Sequence, residues 1–110
     1  MGDRISISFK DSNENSIVFC DHWGGRHLIN DVNEFIKTMD LKYPRTHSTP
    51  QTRREPSWMM PLFVAFYYRK YPNGEEVYLV QDEGQCDNSD RGHFTYDFDK
   101  NQWDREPNDE

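Results

Sequence analysis

The sequence predicts an α+β fold: a roughly four-stranded, mainly antiparallel sheet in the order β-β-α-α-β-β, with two helices on one face. Three observations lead there. Four short segments alternate apolar with polar residues. Two longer segments repeat apolar residues at helical spacing, and 110 residues suit a single domain.

Arg4 to Lys10 sets Ile5, Ile7 and Phe9 on one side and Arg4, Ser6, Ser8 and Lys10 on the other, as a half-buried strand does. Asp11-Ser-Asn-Glu-Asn15 is turn chemistry, because Asp and Asn bond to their own backbone and tolerate left-handed conformations. Ser16 to Asp21 is the hairpin partner. His22-Trp23-Gly24-Gly25 breaks it, and Leu28, Ile29, Val32, Phe35, Ile36 and Met39 then form one stripe, predicting a helix over about Arg26 to Met39. Lys42 to Glu55, with Pro44 and Pro50, reads as a loop. Trp58, Leu62, Phe63, Phe66 and Tyr67 mark a second helical face. That helix is expected to begin between Ser57 and Met60, which puts Pro61 in the first turn, where its missing N–H costs little. Pro72-Asn73-Gly74 ends it. Glu76 to Gln81 and His93 to Asp99 are the last two strands, the latter with Phe94, Tyr96 and Phe98 inward. Residues 1–99 form the domain, and 100–110 an acidic tail expected to fray, with Trp103 as a candidate to dock. The expected core includes Phe9, Phe19, Val32, Phe35, Phe63 and Phe94, together with Trp58, Leu62, Val77 and Leu79.

Composition narrows the function classes. Aromatics make up 15% of the chain, so a small core can be built from large rings. No apolar run approaches the ~20 residues that span a bilayer, and nothing resembles a signal peptide, so no membrane partner and a cytoplasmic location are expected. Cys20 and Cys86 are too few for a disulfide scaffold and are expected to stay free in a reducing compartment. From Asp82 onward, ten acidic residues stand against three basic ones, and this stretch carries the whole net charge of −7. Such a surface repels phosphate backbones, which disfavours direct nucleic-acid binding.

Three places have the residues for chemistry. In Cys20-Asp21-His22-Trp23-Gly24-Gly25-Arg26-His27, Gly24 and Gly25 let backbone N–H groups gather at a helix start. With Arg26 and His27 they form a candidate anion nest. Cys20 and His22 share a strand face and are candidates for a thiol–imidazole pair, with His93 a third catalytic candidate. The competing reading gives the glycines to the turn alone. The second place is the loop from Asp82 to His93, where six carboxylate or amide side chains suit a hard cation. Asp82, Asp87, Asn88 and Asp90 are its candidate ligands for weak Ca²⁺ binding. The loop is not an EF-hand, since Arg91 takes a ligand position and Phe98 the place of the closing Glu. A solvated turn is the plainer reading. The third place is the basic stretch Lys42, Arg45, His47, Arg53 and Arg54, whose only stacking ring is Tyr43 and which pairs more simply with the acidic end.

His22-Trp23-Gly24-Gly25, Trp58 after Glu-Pro-Ser, and Asp87-Asn88-Ser89-Asp90-x-Gly92-His93 together resemble a family of small uncharacterised microbial and phage-associated proteins. Its members pair a strand-end HWGG with a DNSD-x-GH loop. The resemblance implies no activity; it implies that the two loops belong together. Two function classes remain. A non-enzymatic binding or regulatory protein would use the acidic C-terminal surface to meet a basic protein partner or a cation. A small hydrolase or transferase would use His22 and His93 with Asp87 or Asp90, and would need these to converge on one concavity.

Overall fold

The computed structural model describes residues 2–42, 54–74 and 76–107. It contains β1 (Ile5–Lys10), β2 (Val18–Asp21), α1 (Leu28–Lys42), α2 (Pro56–Lys70), β3 (Val77–Val80), β4 (Gly92–Asp97) and β5 (Gln102–Trp103). The sheet runs β3-β2-β1-β4-β5. Its β1–β2, β2–β3 and β4–β5 pairs are antiparallel, whereas β1 and β4 lie parallel. The fold is α+β, with a mostly antiparallel sheet of five strands rather than four.

Strand alternation sorts the two faces. Ile5, Ile7, Phe9, Phe19, Phe94 and Tyr96 join Leu28, Val32 and Phe35 of α1 and Met59, Phe63 and Tyr67 of α2 in a single buried cluster. Both helices therefore cover the same face. Phe63 is its hub, with ring centroids 5.2 Å from Phe19, 5.5 Å from Phe35 and 6.1 Å from Phe9. The opposite face carries Ser6, Ser8, Cys20, His93 and Thr95, and neither α1 nor α2 packs on it.

The structure corrects several expectations. α1 starts at Leu28 and runs one turn past Met39. α2 takes Pro56 at its first turn, which leaves Pro61 one turn further in. Glu14 stabilises that start, its carboxylate accepting from Ser57 N at 2.8 Å and Ser57 Oγ at 2.6 Å. Trp58, Leu62 and Leu79, read as core, are 48%, 36% and 45% exposed. Helical periodicity identified the apolar residues of α2 without identifying which of them the sheet can reach. The tail does not simply fray. Gln102–Trp103 pairs with β4, Trp103 lies edge-on to Phe94 and Tyr96, and its Nε1 donates to Asn33 Oδ1 at 3.0 Å. Pro44 and Pro50 lie outside the described residues.

Phe63→Ala is expected to lower the unfolding free energy by about 3–5 kcal/mol, and Trp58→Ala by less than about 1 kcal/mol. Urea unfolding checks this; equal losses would make Trp58 a core residue after all.

Candidate functional site

The N-terminal segment stitches the two candidate loops together. Asp3 N donates to His22 O at 2.9 Å, and Gly25 N donates to Asp3 O at 2.8 Å. The Asp3 carboxylate takes Arg91 at 2.7 Å, and Arg91 N donates to Arg4 O. A Cβ on Gly24 would collide with the Asp21 carboxylate, and one on Gly25 with that of Asp3. Those close approaches leave no room for a side chain at either position. Around the expected nest of Gly24, Gly25, Arg26 and His27 stand three of the protein's own carboxylates, Asp21, Asp3 and Asp31. Asp21 is buried and accepts from Trp23 N at 3.0 Å and Tyr67 Oη at 2.8 Å. Arg26 is 84% exposed, 3.9 Å from Asp3, and His27 Nδ1 lies 2.6 Å from Asp31.

Asp31 is a second buried carboxylate. Burial alone would raise its pKa, but hydrogen bonds from His27, Lys70 and Tyr71 outweigh this and hold it below the ordinary range. The same cluster pushes Tyr71 up to about 12, through burial and then through its hydrogen bond to Asp31 and the charge of that carboxylate.

In the acidic loop the cation is Arg4. Its guanidinium reaches Asp90 and Asp87, each at 2.9 Å. Asp90 is lowered mainly by that hydrogen bond, and Asp87 mainly by its bonds to Ser89. The four residues read as Ca²⁺ ligands do not converge. Asp87 and Asp90 turn to Arg4, Asn88 Nδ2 donates to Ser6 Oγ at 2.9 Å, and Asp82 N donates to Gln85 Oε1 at 2.9 Å at the start of the turn Glu83–Gln85. Among the described residues no three His, Cys, Asp or Glu side chains are grouped to hold a metal. Arg4 already satisfies the repulsion that a cation was expected to relieve.

Cys20 and Cys86 are joined in a disulfide, which corrects the expectation of free thiols. Cys20 on β2 points to the helix-free face, where Cys86 packs with it, Val18 and Val80. Cys20 is therefore no thiolate nucleophile. Of the basic stretch, Arg45, His47 and Arg53 fall outside the described residues. Arg54 is buried and reaches Asp40 Oδ1 at 3.1 Å, so it offers no surface to a phosphate.

The helix-free face holds a trough of ≈ 430 Å³. Ser8, Val18, His93 and Thr95 line it, and so do Asp82, Glu83 and Asp104 from the loops at either side. No lysine or arginine is among the described residues lining it. Parallel pairing sets Ser6 opposite His93 and Ser8 opposite Thr95. The imidazole is consequently gripped at both nitrogens. Ser6 Oγ is 2.7 Å from Nδ1, Ser8 Oγ 3.0 Å and Thr95 Oγ1 3.2 Å from Nε2. Each hydroxyl can donate or accept, so either neutral tautomer is satisfied. Burial lowers the His93 pKa, with Glu83 and Asp104 pulling it back up and Arg105 pulling it further down. His22 stays outside this trough. Its ring lies 4.7 Å from that of Trp23, beside the glycine turn, so the three catalytic candidates do not share one concavity.

Comparisons with protein-family models, with curated proteins and with solved structures give no match. The site therefore rests on its own geometry. His93 was legible as a candidate, whereas Ser6, Ser8, Thr95, Glu83 and Asp104 were missed. The signal was the polar side of the two alternating strands; what was missing was the register that brings them together.

His93 yields a pH prediction. Its folded pKa lies below the ordinary 6.5, so between those values the unfolded chain binds more protons. Its contribution to stability is complete above pH 6.5 and fades as pH falls towards the folded value. Wild type should lose more unfolding free energy than His93→Gln between about pH 7.5 and about pH 5.5. Identical losses in urea titrations would show that His93 is not preferentially neutral in the fold.

Proposed function

We propose that this chain is a non-enzymatic binding protein that receives a basic protein partner in the trough on the helix-free face. The observation carrying this reading is the lining: Asp82, Glu83 and Asp104 stand over a hydroxyl and imidazole floor, with no lysine or arginine among the described lining residues. A lysine or arginine side chain entering there meets carboxylates first and hydroxyl acceptors below. One of the carboxylates is already oriented, Asp104, by accepting from Thr95 N at 3.1 Å. Orientation before binding reduces the ordering cost of association. The surrounding negative charge also steers basic partners and repels nucleic acid.

Fluorescence anisotropy with a labelled lysine- and arginine-rich peptide tests the proposal. Binding should weaken as salt rises, and the combined Asp82→Asn, Glu83→Gln and Asp104→Asn variant should raise Kd about tenfold. That is the size of three exposed charge pairs at about 0.5 kcal/mol each. Unchanged affinity in the variant, or equal binding of an acidic peptide, would sink the reading.

One observation favours a second reading, a small hydrolase or transferase. Ser8 Oγ sits 3.0 Å from His93 Nε2 at the base of the trough, as a nucleophile and its base would. His93 Nδ1 is steadied by the neutral Ser6 hydroxyl, which stabilises an imidazolium less than a carboxylate does. A fluorophosphonate probe decides: attack by Ser8 Oγ forms an O–P bond, fluoride leaves, and the proton passes to His93. A Ser8 adduct that disappears in Ser8→Ala would establish the enzyme; an unlabelled Ser8 removes it.

A further inference from the structure

We propose that the Cys20–Cys86 disulfide is a redox latch on the trough, holding its Asp82–Glu83 wall in the partner-binding position until a dithiol reductant opens it. This rests on reading the trough as the site for a basic partner. The loop between β3 and β4 is tied down unevenly. Its second half is held by Arg4 on Asp87 and Asp90, by Asp87 N donating to Tyr78 Oη of β3 at 3.1 Å, and by Asn88 on Ser6. Its first half, which supplies the acidic wall, is bonded locally. Gln85 Oε1 accepts from Gln81 N and Asp82 N, Gln85 N donates to Asp82 O, and Cys86 N donates to Glu83 O. Among the described residues, the covalent tie from this half to the sheet is Cys86 to Cys20, one residue beyond the turn that carries Glu83. Cys20 is fully buried and Cys86 is 8% exposed. A reductant thiolate therefore attacks Cys86 Sγ, the S–S bond breaks, and Cys20 leaves as a thiolate that takes a proton. The reductant's second thiol then displaces Cys86. Two cysteine thiols form and the reductant becomes a disulfide, so two electrons and two protons are accounted for.

With the latch open, the acidic wall must be ordered by the partner itself. Fixing a single backbone residue corresponds to roughly a five- to thirty-fold factor in affinity. Peptide binding and amide hydrogen exchange, measured on the full chain oxidised and after dithiothreitol, test the inference. The expected result is that reduction weakens basic-peptide binding about tenfold or more and speeds exchange at Gln85 and Cys86, while Ile7, Phe9 and Phe94 stay protected. The Cys20→Ser, Cys86→Ser double variant should behave as the reduced protein in both conditions. Equal binding in the two states would overturn the latch. So would loss of protection throughout the sheet, because the disulfide would then be a staple of the whole fold. If the oxidised protein fails to bind the peptide, the trough reading falls, and the exchange pattern alone decides whether the disulfide holds the wall.

Discussion

The parallel pairing of β1 with β4 is the constraint on which the rest depends. It makes β1 a central strand, with β2 on its other side, so Ile5, Ile7 and Phe9 are buried from both flanks. The same register sets Ser6 and Ser8 beside His93 and Thr95. A one-residue slip would turn the hydroxyls into the core and the isoleucines out to solvent. The core and the trough are thus two faces of one pairing. No substitution that shifts β1 can alter one without the other.

The second organising element is charge compensation at short range. Asp3 and Arg4 precede the first strand, yet between them they engage the glycine turn, Arg91, Asp87 and Asp90. Taken as sequence, the acidic loop has the composition of a cation site. In the fold its central carboxylates already have a guanidinium, and the glycine turn already has carboxylates. Once these are matched internally, the acidic groups lining a concavity are Asp82, Glu83 and Asp104, and only Asp82 had been singled out. Composition reports how much charge a segment carries; pairing across the fold decides where it is available.

This explains what the sequence made legible. Alternation and helical spacing are local, so the strands, both helices and their shared face could be read directly. Leu79 and Trp58 were misplaced because burial at an edge strand, or on one side of a helix, depends on what lies across from it. β5 is two residues long, too short for alternation to register, and Trp103 was its one visible cue. His93 stood out by residue type. Its partners Ser6 and Ser8 lie 87 and 85 positions away, and a hydroxyl on a strand's polar side looks like any solvated serine until register is known.

The cysteines are the clearest case of a premise overturned by geometry. Free thiols were expected because two cysteines were judged against an assumed reducing compartment, and that assumption came from what the sequence lacks. No helix among the described residues is long and apolar enough to cross a membrane, which bears on insertion and not on redox environment. What the fold adds is placement. β2 alternation turns Cys20 away from the helices, and the loop after β3 returns across the same face to bring Cys86 onto it. The bridge joins residues 66 apart in sequence, a separation at which cross-linking removes much of the unfolded chain's freedom. It also lies beside the acidic wall, whose remaining hydrogen bonds among the described residues are local. One bond therefore acts on global stability through the unfolded state and on the trough through the folded one. Because these actions belong to different states of the chain, local exchange at Gln85 and Cys86 separates them where a melting temperature would merge them.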